Sequence, residues 1–297
     1  MPLDVRSPQT RWLSAAEIEI VARAAVDVGF RKIRLTGGEP TLRQDLLEIV
    51  ERLAAIADLE DLALTTNGIL LPRLAEPLAR AGLRRVNIHV DTLDPEHLAR
   101  IMRFGTFGEI WAGILAAEAA GLTPIKLNAV VTRGFNDEDV VELAALTRDR
   151  PWHVRFIELM PLGVGEPASV SRDRFVASAE TEGRIVAALG PLVPLPGHPS
   201  DESRNTMLEG ARGTIGFISP VSRPYCGTCN RMRLTADGKF HLCLLNDDEL
   251  DVRRAIAEGG ASAVADVLLR AVGAKPMGHR LHANETIAGR EMFQLGG

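Results

Sequence analysis

The chain has 297 residues, 46% of them hydrophobic, and a formal net charge of −5, enough to bury a full core as one large α/β domain or a domain with an appendage. That balance excludes a global basic field, and with it long nucleic acid as a partner, while a compact anion could still meet a local cationic cluster. No apolar run approaches the roughly 20 residues of a membrane span, and the opening MPLDVRS has no signal-peptide core, so the expectation is a cytoplasmic protein with no membrane partner.

In chain order, LSAAEIEIVARAAVDVGF opens with Ser14 and Glu17 in capping-box spacing and predicts a helix ending near Gly29. A strand KIRLT, a helix DLLEIVERLAAI, a strand LALTT, a helix LPRLAEPLARAG and a strand RRVNIHV follow. Helices from Pro95 and Phe107, a strand PIKLNAVV, a helix after Asn136 and a strand HVRFIEL complete the alternation. Strands separated by helices of ten or more residues predict parallel β-structure with right-handed crossovers. The Pro/Gly-rich stretch LGPLVPLPGHPSDES breaks this rhythm, placing the expected boundary between residues 1–190 and 191–297. Beyond it come short strands GTIGFIS, RMRLT and KFHLC, helices from about Asp247 and about Gly260, and a polar tail.

Buried parallel strands should be almost wholly apolar, and these are not. Alternate residues point to opposite faces, so Arg34 pairs with Thr36, Thr65 with Asn67, Asn87 with His89 and Asp91, Lys126 with Asn128, and His153 with Arg155. A solvated sheet face would account for this. The alternative is a barrel or partial barrel whose inner face lines a site for a polar, anionic ligand. Cationic side chains are almost all Arg, the only lysines being Lys32, Lys126, Lys239 and Lys275. A Lys inside the barrel points to phosphate, because an unpaired buried ammonium is costly.

After the first strand, TGGEP (Thr36 to Pro40) combines glycines that admit a ligand to the backbone with Glu39, a carboxylate able to receive an ammonium group. All three cysteines lie in PYCGTCNRMRLTADGKFHLC. In a reducing compartment CxxC spacing favours metal over disulfide or inert thiols. Three thiolates on a cubane iron–sulfur cluster leave one iron open, whereas His241 would complete a zinc ribbon. Spacing leaves both readings standing. Arg231 and Arg233, expected on one strand face, put cationic forks beside the metal.

Together KIRLTGGEPTLRQDL, LALTTNGILL, LRRVNIHVDTLDP, IKLNAVVTRGFND, VRFIELMPLG, CGTCNRMRLTADGKFHLC and the closing Gly296-Gly297 resemble the molybdenum cofactor biosynthesis protein A family, radical S-adenosylmethionine (SAM) enzymes with GTP 3′,8-cyclase activity. The resemblance implies an incomplete parallel (β/α) barrel with a C-terminal iron–sulfur region. Cys226, Cys229 and Cys243 would hold an auxiliary [4Fe-4S] cluster whose open iron meets guanine. Arg34, Thr65, Lys126, Arg231 and Arg233 fall where the family contacts GTP, with Arg155 in the same polar interior. Gly38, Glu39 and Met160 would meet SAM, as would His89, where many relatives have Ser. Gly296 and Gly297 match a tail that reaches the active site.

The implied reaction cleaves SAM to a 5′-deoxyadenosyl radical, which takes a hydrogen from the GTP ribose so that the sugar closes onto C8 of guanine. The product, (8S)-3′,8-cyclo-7,8-dihydroguanosine 5′-triphosphate, passes to cyclic pyranopterin monophosphate synthase, and the family suggests a homodimer. Relatives carry CxxxCxxC running into Met-Pro, whereas this sequence begins Met1-Pro2. The ligands of the radical-generating N-terminal [4Fe-4S] cluster are thus absent from it, and the expectation is a start assigned too late and an inactive chain as written. The competing readings are a non-catalytic GTP- or zinc-binding paralogue and another radical enzyme acting on a peptide. Arg231, Arg233 and the terminal glycines argue for GTP.

Overall fold

Ser14 and Glu17 close the expected capping box. The Ser14 hydroxyl accepts from the Glu17 amide, the Glu17 carboxylate accepts from the Ser14 amide, and helix α1 runs Ala15–Asp27. The computed structural model describes residues 11–101, 104–161, 171–279, 290 and 292–295. After α1 come β1 Lys32–Leu35, a 3-10 turn Pro40–Leu42, α2 Leu46–Ala54, β2 Asp61–Thr66, α3 Leu71–Arg80 and β3 Arg85–His89. Next are α4 Pro95–Ile101, α5 Phe107–Ala119, β4 Lys126–Val131, α6 Val140–Asp149, β5 His153–Glu158 and α7 Ser178–Leu189. Then follow β6 Leu192–Pro194, β7 Arg204–Leu208, β8 Thr214–Ile218, a 3-10 turn Cys226–Thr228, β9 Arg233–Leu234, β10 Lys239–His241, β11 Glu249–Asp251, α8 Arg253–Gly273 and α9 Met292–Leu295. The βα alternation up to β5 is the one that periodicity predicts.

Three expectations for the C-terminal part are corrected. No helix begins at Asp247: a turn in which the Asn246 amide donates to the Cys243 carbonyl leads instead into β11, and α8 starts at Arg253. The run Asn246-Asp247-Asp248 is turn chemistry, not a helix start. The expected second helix start coincides with a break inside α8, where Gly260 has φ +57°. β9 is only Arg233–Leu234, so Arg231 precedes it, and Cys243 lies two residues beyond β10. Helix α7 escaped prediction because its buried positions are Ser178, Thr181 and Ile185, which write no apolar period.

The described residues form two compact units, one of Met1–Thr65, Glu76–Arg84 and Arg231–Gly297 and the other of Thr66–Ala75 and Arg85–Asn230. In the first, β1 pairs with β2 in parallel, and β11, β10 and β9 form a small antiparallel sheet. Its core joins the chain's two ends: Leu13, Val21 and Ala24 pack with Phe240, Leu242, Val252, Val264, Leu268 and Ala271. In the second unit the strand order is β3-β4-β5-β8-β7-β6. β3, β4, β5 and β8 are parallel neighbours, while β7 and β6 turn back antiparallel. The sheet thus continues past residue 190. Gly68, at φ +84°, sits under α5, where a Cβ on Gly113 would lie 2.1 Å from the Gly68 carbonyl oxygen. This close approach requires glycine at 113, while the positive φ accounts for the glycine that ends the strand-end sequence TTNG. Among the described residues no helix is long and apolar enough to cross a membrane.

Candidate functional site

Register turns the polar strand faces into layers. β4 and β5 pair Lys126 with His153 and Asn128 with Arg155, while β3 places Asn87 beside Lys126 and His89 beside Asn128. In-register residues of parallel strands point the same way, so these side chains share one face of the second unit. Arg155 is 5% exposed. Its Nε donates to Asn128 Oδ1 at 2.8 Å and its Nη1 to Glu202 Oε1 at 3.1 Å. β8 places Gly216 opposite Arg155, where a Cβ would lie 3.1 Å from Arg155 Cγ and 2.3 Å from Ser203 Oγ. Glycine there makes room for the guanidinium stem and its neighbours. Glu202 and Gly216 are site residues that sequence reasoning missed. The charge on Glu202 was legible, but its proximity to Arg155 was not.

Burial, then the positive charges of Lys126, Arg155 and Arg85, push His153 from 6.5 down to about 4. The unfolded chain therefore binds its proton more tightly, and this group makes stability rise with pH. The penalty is absent above about pH 6.5, grows as pH falls through that value and is complete below about 4. His153→Gln should flatten the difference in unfolding free energy between about pH 5 and pH 7. An unchanged difference would show that the folded protein accommodates the protonated ring.

At the neighbouring position His89 Nε2 lies 2.6 Å from Asp91 Oδ2, and the Asp91 charge raises the His89 pKa. Asp91 is itself fixed by the Val130 amide, which donates to Oδ1 at 2.8 Å. Met160 is half-buried, two residues beyond β5. Glu158, at the end of β5, is 1% exposed and accepts hydrogen bonds from the Ser178, Val221 and Ser222 amides and the Ser222 hydroxyl. It is a third residue missed, legible only as a polar strand end.

In the first unit Arg34 is exposed on β1 and Thr65 is half-buried on β2. Gly38 is exposed, and Glu39 caps the turn that follows it, its Oε1 accepting from the Thr41 amide at 3.0 Å and the Thr41 hydroxyl. Arg231, Arg233 and Cys243 belong to this unit, whereas Cys226 and Cys229 belong to the second. The three thiols are half-buried and none is in a disulfide. A 3-10 turn carries Cys226, and the Cys229 amide closes it onto the Cys226 carbonyl at 3.1 Å, a geometry that brings residues three apart onto one side. Among the described residues no group of three or more His, Cys, Asp or Glu side chains is arranged to hold a metal ion. The donor set itself, three accessible reduced thiols, suits an iron–sulfur cluster.

His241 is 1% exposed, with Nδ1 3.2 Å from Glu249 Oε1. Burial holds its pKa below the usual range against the pull of Glu249. Arg290 donates to Glu249 and to Asp237, the latter at 2.9 Å, tying the C-terminal segment to this sheet. Gly296 and Gly297 lie outside the described residues.

A family model described as Radical SAM superfamily matches residues 4–147, and one described as Molybdenum Cofactor Synthesis C matches residues 152–281. A "GTP 3′,8-cyclase" of Moorella thermoacetica is 46% identical over 96% of this chain and 87% of its own length. Another, of Pelotomaculum thermopropionicum, is 45% identical over 99% of this chain and 90% of its own. Among solved structures, Streptococcus suis SuiB bound to S-adenosylmethionine aligns over 81% of this chain and 56% of its own with a TM-score of 0.62 at 14% identity. That likeness bears on fold alone; together with the parallel strands described above and the Radical SAM superfamily match, it is that of an incomplete parallel (β/α) barrel of the radical SAM type. With near-full-length identity to curated relatives, the chain belongs to the GTP 3′,8-cyclase family of the radical SAM superfamily.

Proposed function

We propose that this chain binds GTP and acts as a GTP 3′,8-cyclase in molybdenum cofactor biosynthesis, in the cytoplasm, forming (8S)-3′,8-cyclo-7,8-dihydroguanosine 5′-triphosphate for a cyclic pyranopterin monophosphate synthase. The observation that carries this reading, beyond family membership, is the cationic layer of the parallel sheet, where Lys126 and Arg155 share one strand face and, with Arg85, add to burial in keeping His153 neutral. Such a field inside a strand-lined face selects a polyanion.

In this reading Lys126 takes a phosphate as a point charge, and Arg155 holds the ligand's reacting end while Asn128 and Glu202 fix its fork. Arg34, Thr65, Arg231 and Arg233 complete the GTP contacts. Gly38, Glu39, His89 and Met160 receive SAM, and Cys226, Cys229 and Cys243 hold an auxiliary [4Fe-4S] cluster. Gly296 and Gly297 take the catalytic role of the family's tail. Residues 1–190 act as the partial barrel and residues 191–297 as the auxiliary-cluster region, although β8 extends the sheet beyond that boundary. When bound, SAM and the iron–sulfur centres supply the one-electron chemistry, and the chain supplies position and exclusion of water.

Calorimetric titration of GTP into cluster-loaded protein tests this. Lys126→Ala and Arg233→Ala should each weaken binding by about 1.5–3 kcal/mol, as for charge-assisted bonds, against about 0–1 for the exposed control Arg100→Ala. Folded variants that bind as tightly as the parent would dismiss the polar strand faces as a GTP site.

A further inference from the structure

Only four of the chain's 34 Lys and Arg residues are lysines, and one of them, Lys275, sits where the short β9–β10 ladder gives out. That ladder pairs Leu234 with Phe240 and Arg233 with His241, and there it stops. Continued in register, it would set Arg231 opposite Cys243. The Leu242 amide donates to the Asp248 carbonyl at 3.1 Å, extending the pairing with β11 by one step, and Cys243 then enters the turn toward β11. At this break the Lys275 ammonium donates to the Arg231 carbonyl and to the Leu242 carbonyl, each at 2.8 Å.

We infer that Lys275 is a positioning residue that sets the Arg231–Arg233 segment against the Cys243 segment. The inference rests on the proposed roles of Arg233 and Cys243 and adds the group that fixes their spacing. A compact ammonium with three donors can serve two carbonyls from one point, a task for which the planar fork of the chain's prevailing arginine is less suited. The ammonium is itself held by the end of α8. The Ala274 amide donates to the Arg270 carbonyl at 2.9 Å and the Lys275 amide to the Val272 carbonyl at 3.2 Å. Val264, Val267, Leu268 and Ala271 anchor that helix in the core of the first unit. The link therefore runs from a packed helix to two backbone groups: one is two residues before Arg233, and the other immediately precedes Cys243. The positive charge also lies at the C-terminal end of α8, where the helix dipole favours it.

The test uses the metal-free full chain, so that its outcome does not depend on GTP or on the cluster. In Lys275→Met, which loses both bonds, alkylation of Cys243 by iodoacetamide, read by mass spectrometry, should accelerate by at least about tenfold, the factor for a single charge-assisted bond. Cys226, in the other unit, should react at the parental rate, and Lys275→Arg, which keeps the charge but not the compact ammonium, should restore only part of the protection of Cys243. Unchanged Cys243 reactivity, or equal acceleration of both thiols, overturns the inference, the second outcome marking general loosening. If Lys275→Met does not fold, acetylation of the parent decides: Lys275 should react about tenfold more slowly than exposed Lys32, and equal rates overturn the inference. A parent that fails to bind GTP would sink the function proposed above while leaving the thiol rates to decide the role of Lys275.

Discussion

Glu158→Ala is expected to cost about 3–5 kcal/mol of unfolding free energy, the sum of leaving several buried donors without their acceptor. The carboxylate receives the Ser178 amide at 2.9 Å, the Val221 amide at 3.0 Å, the Ser222 amide at 2.9 Å and the Ser222 hydroxyl. Each buried amide left unsatisfied costs about 1–3 kcal/mol. Ser178 opens α7, whose N-cap residue Ala177 offers no side-chain acceptor, so Glu158 also caps this helix and places negative charge at its positive end. Val221 and Ser222 begin the segment that leads to Cys226. Hydrogen exchange should therefore accelerate over residues 219–229 in the variant while β4 and β5 keep their protection. Chemical denaturation gives the energy, and a loss below about 1 kcal/mol would mean that water or another group serves these donors.

Arg155→Ala is the second large effect, again about 3–5 kcal/mol, because it removes the buried guanidinium from which Glu202 and Asn128 both accept hydrogen bonds. The pair is well shielded, with side chains 6% and 16% exposed. The double variant Arg155→Leu, Glu202→Leu should recover most of the loss, since replacing both members of a buried pair by apolar groups is often neutral. The double variant should nevertheless fail to bind GTP if Arg155 faces the ligand. Urea denaturation of the single and double variants measures the coupling. Additive losses would show that the two side chains do not depend on each other.

Much of the fold was legible because its signals are local. The capping box at Ser14 and Glu17, the apolar periods of α2 and α5, and the two-residue alternation of β4 and β5 each lie within a few residues. The missed elements lack such signals. α7 buries Ser178 and Thr181, and β11 is only three residues, Glu249–Asp251, held by its pairing with β10. The readings of Arg231 and Cys243 as strand residues failed for a related reason. Their segments alternate as strands do, but β9 and β10 share only two register pairs before the turn at Asn246 draws the chain away.

By itself the sequence determined which residues face together along each strand, because alternation is a property of one segment: Lys126 with Asn128, His153 with Arg155. It also showed that all three cysteines lie between Cys226 and Cys243, two of them in CxxC spacing. Which faces meet was decided by tertiary structure. Register put Asn128 beside Arg155 and Gly216 on its other side, and a loop 47 residues further on supplied Glu202. Glu158 gathers donors 20 to 64 residues away, and Lys275 reaches carbonyls 33 and 44 residues back. Such contacts are made only once the sheet and helices have packed, so they leave no period in the sequence.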